Sequence, residues 1–186
     1  MQGIADDFAR VTYETQAEKV KIGIVGEIYV RHHQFANRNL ISKLEELGAV
    51  CDLASFSEWL YYTNFVRSER SKRTNNIILR IGNGLHHFVQ QKIESSLAKP
   101  LEAKFGRLAD EPVEHTIQYA GKYVNRCFEG EAILSVGKIV EYFHSGMGGV
   151  VNVMPFSCMP STIVSSLTRR LSADCNNMPI LNLSFD

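Results

Sequence analysis

The chain has 186 residues, enough for a sizeable core, and its 45% hydrophobic and 22% charged residues are ordinary for a globular protein. Its 20 basic and 20 acidic residues cancel, so nothing in the charge calls for nucleic acid or an anionic membrane surface. No apolar stretch approaches the roughly 20 residues of a membrane helix, and the opening MQGIADDFARVTYETQ carries Asp6 and Asp7 where a secretion signal is basic and then apolar, so a cytoplasmic protein is expected.

In chain order, residues 5–19 read as a helix with Ile4, Phe8, Val11 and Thr15 near one face and Asp6 or Asp7 at its start. KVKIGIVGEIYV contains a buried, β-branched strand over about 20–26. NRNLISKLEELGA (37–49) reads as a helix with Asn37 or Asn39 as cap and Gly48 as stop, and VCDLASF (50–56) as a second strand. Strand, helix and strand with brief connections make a βαβ unit, hence a parallel sheet covered by helices.

The character then changes. Ser57 is placed to cap a helix from Glu58, VRSERSKRTNN (66–76) is polar and basic, and 77–105 carries a helical pattern that Pro100 should end or kink. Residues 115–128 read as a further short helix, and no strand is expected between about 57 and 148, so 66–128 is taken as a helical insertion. A helix over 129–149 closed by glycines, a strand at 150–156, a helix at 161–175 with Pro160 in its first turn, and a strand at 179–186 complete the chain. The fold expected is α/β, a Rossmann-like or flavodoxin-like parallel sheet of about four strands with a helical insertion. A doubly wound sheet usually follows its last strand with a covering helix, so 1–186 is expected to be a single α/β domain from a larger polypeptide.

Ligands of such sheets bind beyond the carboxyl ends of the strands. The stretch GEIYVRHHQFANRN after the first strand has no phosphate-loop pattern. It carries Glu27, Tyr29, Arg31 and Asn37, which could orient a polar ligand; it also reads as a solvated loop, and the neighbouring His32 and His33 diverge too much to share a metal. After the second strand, Trp59, Tyr61, Tyr62 and Phe65 form an aromatic group that reads as core packing or as an apolar wall.

The four cysteines, Cys51, Cys127, Cys158 and Cys175, contain no CxxC pair, so neither disulfides nor a self-contained zinc site is expected. Cys51 reads as core and Cys175 as a helix-end residue, while Cys127 could approach a shared site. Cys158, in VNVMPFSCMPST, follows a strand and precedes a helix, where N–H groups and the helix dipole favour a thiolate. It reads as a packed turn cysteine or as a metal or cluster ligand; His144 should lie at the wrong edge of the sheet to activate it as a nucleophile.

Four segments, KIGIVGEIYVRHHQFANRNLISKLEELGA, FSEWLYY, EGEAILSVGKIVEYFHSGMGGVVNVMPFSCMPSTIVSSLTRRL and MPILNLSFD, together resemble the 2-hydroxyacyl-CoA dehydratase component-like family. The likeness is to the part of that family linked to acyl-CoA dehydratase activases of the actin/Hsp70-like ATPase superfamily, and more distantly to benzoyl-CoA reductase subunits. It covers roughly 21–66 and 128–186. The resemblance implies a [4Fe–4S]-type iron–sulfur cluster in the full-length parent, electrons from an ATP-dependent activase domain or subunit, and an acyl-CoA substrate. Cys158, in the PFSCMP position, is the cluster ligand it implies, with Glu27, Tyr29, Arg31 and Asn37 lining the same crevice. The family's other cluster cysteines, an ATP phosphate loop and an activase cluster pair are not in this sequence. A domain that docks an activase or sister subunit, or an iron-free Rossmann-like binding domain, are the alternatives.

Overall fold

The computed structural model describes residues 2–11, 19–106 and 111–186. Its elements run α1 (Gln2–Ala9), β1 (Lys21–Gly26), α2 (Ile28–His32), α3 (Leu40–Glu46), β2 (Val50–Leu53), α4 (Phe56–Arg73), α5 (Ile77–Phe105), α6 (Val113–Ala120), α7 (Glu131–His144), β3 (Gly149–Pro155), α8 (Met159–Asp174) and β4 (Ile180–Phe185). They form two compact units, a helical one of Met1–Gln16 with Leu60–Glu111 and a sheet unit of Ala17–Trp59 with Pro112–Asp186. Helix α6, within the insertion read from sequence, thus belongs with the sheet.

All four strands are parallel in the order β2-β1-β3-β4. This is the α/β, doubly wound arrangement expected, with its order reversing between β1 and β3. Ile24 and Val30 pack with Val151 and Val153 on one face, joined by Leu40 and Leu44 of α3. On the other face α7 comes so close that a Cβ at Gly23 would sit 2.2 Å from the Tyr142 ring. Central β3 is buried through Met154, consistent with its run of β-branched residues. It contains one polar side chain, the fully buried Asn152. Its Nδ2 donates to Asn182 Oδ1 of β4 at 2.9 Å, and Asn182 Nδ2 donates to Thr168 Oγ1 of α8 at 3.3 Å.

Several local expectations are corrected. The stretch after β1 is not all loop: Glu27 starts a short helix, α2, by accepting from Tyr29 N and Val30 N at 3.1 and 2.8 Å. Ser55 rather than Ser57 serves α4, because its Oγ accepts from Glu58 N at 3.3 Å and the helix begins one residue before Ser57. Asp6 and Asp7 lie inside α1, not at its start. The remainder of the helix read over 5–19 lies outside the described residues from 12 to 18.

In the helical unit, α5 runs through Pro100 to Phe105. A proline removes one N–H donor, but the last turns are held on α1 by an ion pair between Lys104 and Asp6. Tyr61 of α4 donates to Glu94 and packs edge-on against His87, ring centroids 5.7 Å apart, tying α4 to α5. Among the described residues no helix is long and apolar enough to cross a membrane.

Candidate functional site

The carboxyl edge at the β1/β3 reversal is where an open parallel sheet offers a crevice. Two turns leave it from adjacent strands. Gly26 ends β1 with φ 113°, and a Cβ there would lie 2.0 Å from the Val153 carbonyl. Only glycine therefore lets β1 close onto β3 and Glu27 N donate to Val153 O at 2.9 Å. On β3, Pro155 and Phe156 lead through Ser157, held at φ 63°, into Cys158, the N-cap of α8. The Cys158 side chain makes no cap hydrogen bond; its carbonyl accepts from Thr162 N at 2.9 Å and Thr162 Oγ1 at 2.8 Å. Its thiol is half-buried. His144 ends α7 at the amino edge, against Tyr119, so the two do not form a dyad.

The residues singled out after β1 divide by exposure. Tyr29 is exposed and stacks on His33 at 4.9 Å. Glu27 is engaged at the start of α2. Asn37 is buried; its Nδ2 donates to Val30 O and Arg31 O at 3.0 and 3.2 Å, and its Oδ1 accepts from Leu40 N at 3.2 Å. It thus closes α2 and opens α3 in place of Asn39, which sits at the cap position but makes no side-chain cap hydrogen bond. Arg31 is 4% exposed. Its Nη1 donates to Gly26 O at 3.3 Å and its Nη2 to Ser55 O at 3.2 Å, tying the end of β1 to the turn after β2. Among the described residues its Nε has no hydrogen-bond partner. Burial lowers the guanidinium pKa, against the pull of Glu58, Glu131 and Glu27.

Glu131, the first residue of α7, was missed by the sequence reading. Because α7 runs antiparallel to the strands, its start lies at the carboxyl edge, where the Glu131 carboxylate accepts from Ile28 N. Three successive N–H groups at the start of α2, from Ile28, Tyr29 and Val30, therefore face the chain's own carboxylates. A nucleotide-binding turn offers such groups to phosphate; here both the donors and the charge oppose it. Burial and the neighbouring Glu27 push the Glu131 carboxyl up, with Arg31 opposing.

Deeper in the same unit lies a buried ionic group, also missed. Lys138 Nζ contacts Glu141 Oε1 at 2.8 Å and Glu58 Oε1 at 3.9 Å, all three being nearly inaccessible. Thr116 Oγ1 lies 3.1 Å from Glu141 Oε2 and 3.5 Å from Glu58 Oε1. The visible hint was two charges at i,i+3, Lys138 and Glu141, on a helix apolar over a wide arc.

Among the described residues no group of three or more His, Cys, Asp or Glu side chains is placed to hold a metal ion. Cys51 lies in β2 beside the core, Cys127 is exposed, and Cys175 is buried at the end of α8. The residues present thus fit one thiolate contribution from Cys158 and not a complete cluster site. Comparison with protein-family profiles, with curated proteins and with solved structures finds no match to this chain.

Proposed function

We propose that this chain is the cluster-supporting α/β domain of a 2-hydroxyacyl-CoA dehydratase-like iron–sulfur protein, in which Cys158 supplies one thiolate to a [4Fe–4S]-type cluster. The observation that carries the reading is the place of Cys158: half-buried, at the start of a 16-residue helix, on the carboxyl end of the central strand, its thiol free of any capping role. The thiolate is the form of cysteine that ligates iron. The sequence likeness around PFSCMP and GEIYVR supplies the substrate class, an acyl-CoA, and the partner, an ATP-dependent activase that delivers low-potential electrons. The remaining ligands must come from outside the described residues, because Cys51, Cys127 and Cys175 are not gathered around Cys158. A cytoplasmic setting goes with this reading. When bound, the cluster would supply the electron chemistry; this chain's own part is to hold one sulfur and to keep phosphate out of the turn beside it.

The test is anaerobic purification and iron–sulfide reconstitution of the native full-length protein. Cys158→Ala should lower iron content and change the visible spectrum, while Cys127→Ala should change neither. Unaltered iron and spectrum in a folded Cys158→Ala protein remove Cys158 from the ligand set. A second reading, an iron-free domain that docks a sister subunit, is favoured by the exposed Tyr29, Phe35, Phe156 and Met159 on the carboxyl-edge turns. It predicts that the wild type binds no iron yet still co-purifies with its partner.

A further inference from the structure

A second concavity lies in the sheet unit, away from Cys158. It is about 570 Å³ in volume and is formed by α6 and the C-terminal parts of α7 and α8. Those helices end where the chain enters β3 and β4, so the cavity sits toward the amino edge of the sheet. Its volume falls within the range of small-molecule sites, roughly 300–1,000 Å³.

The lining combines rings with charge. Tyr119, Tyr123 and Phe143 supply aromatic surface, and His144 lies against two of them, its ring centroid 5.3 Å from both Tyr119 and Phe143. The acidic member, Asp174, is already engaged: its Oδ2 accepts from Lys122 Nζ at 2.8 Å and from Tyr123 OH at 2.9 Å. Those contacts occupy Oδ2 and hold the Asp174 carboxyl below its ordinary range. The lining's one lysine, Lys122, is 60% exposed, and outside the lining the Arg170 guanidinium stands 5.5 Å from the Tyr123 ring centre. An ammonium has three donors, so Lys122 keeps capacity beyond Asp174. Gln118 adds an amide to the polar lining.

We infer that this cavity binds a small planar aromatic molecule bearing one anionic group, its ring against Tyr119, His144 and Phe143 and its anion received by Lys122. Rings prefer offset or edge contacts with other rings, and Tyr119, Phe143 and His144 all line the cavity. The site is separate from the proposed cluster edge and does not depend on that reading.

The experiment is an amide-resolved NMR titration of the whole chain with indole-3-acetate, and with tryptamine as a cation carrying the same ring. Indole-3-acetate should shift the amides of Lys122, Tyr123, His144 and Cys175 saturably. Tryptamine should bind there about tenfold more weakly, a difference of about 1.4 kcal/mol. Lys122→Gln, a change at an exposed side chain, should weaken indole-3-acetate and leave the rest of the spectrum in place. Shifts confined to other parts of the chain, no saturable shift, equal binding of tryptamine, or a Lys122→Gln protein that binds indole-3-acetate as well as the wild type would each overturn the assignment.

Discussion

Glu131 holds its proton more tightly than an ordinary glutamate because its carboxyl is partly buried and faces Glu27; the attraction of Arg31 and the Ile28 N–H only partly offset this. Its folded pKa therefore lies above the unfolded value of about 4.3. The stability it contributes is fully present below that value and is lost as pH rises through the folded pKa. Glu131→Gln keeps an acceptor for Ile28 N–H and removes the charge. Its urea midpoint should exceed that of the wild type at pH 7, and the two should converge toward pH 4; a lower midpoint at pH 7 would show that the pairing with Arg31 dominates. Residue roles were the least legible part of the sequence. The position of Cys158 between β3 and α8 was legible because a turn between a strand and a helix has a local signature. Glu131 lies more than a hundred residues from Glu27, so only the fold brings the two carboxylates together. Arg31 and Asn37 were marked as polar residues for a ligand, yet their polar groups bond backbone carbonyls and N–H groups, which residue type alone does not reveal.

At the scale of elements, α6 and α7 meet almost backbone to backbone. A Cβ at Gly137 would lie 2.0 Å from the Thr116 carbonyl oxygen, an atom that cannot swing aside. Gly137→Ala should therefore destabilise the sheet unit by about 1–3 kcal/mol despite the better helix propensity of alanine, read as a lower thermal midpoint. The close approach also seals Thr116, Glu58, Lys138 and Glu141 from water. Lys138→Met removes the cation and leaves two carboxylates in a dry site, which should cost about 3–5 kcal/mol in urea unfolding at pH 7. Adding Glu58→Gln to Lys138→Met should recover part of that loss, since one stranded charge is then gone. Strands were read within a few residues of their observed bounds because runs of Val and Ile at a buried sheet are a strong local pattern. Helix ends fared worse. Ser55, not Ser57, serves the start of α4, and α6 stops at Ala120 although apolar residues continue beyond it. Caps depend on which of several adjacent polar side chains the tertiary structure leaves in reach.

For the molecule as a whole, the sheet unit is interrupted by residues 60–111 and resumes at Pro112. The two junctions lie close: Glu58 and Thr116, on either side of the interruption, have side-chain oxygens 3.5 Å apart. Segments inserted at adjacent points can be removed without opening the parent fold. Replacing 60–111 by a short Gly/Ser linker should leave a unit that unfolds cooperatively and keeps the dispersed amide spectrum of a parallel sheet; a collapsed state with broad lines would show that the two units fold only together. The sequence announced this interruption through the loss of strand patterning after residue 57, but not its limits, because nothing in the composition distinguishes α6 from the helices before it.

The amide of Asn152 has a consequence for what may occupy the outer side of β3. It is fully buried, and its bonded partner at that level of the sheet is Asn182. Leu181 and Leu183 flank Asn182 along β4, so a one-residue slip would set a leucine opposite the amide and leave it dry. Asn182→Leu should accordingly destabilise the protein by about 1–3 kcal/mol, measured in urea. A strand from a neighbouring molecule, arriving during folding with an apolar residue at that height, meets the same penalty. The pair thus works as a password at the border of the sheet, admitting its own last strand in one frame and turning strangers away.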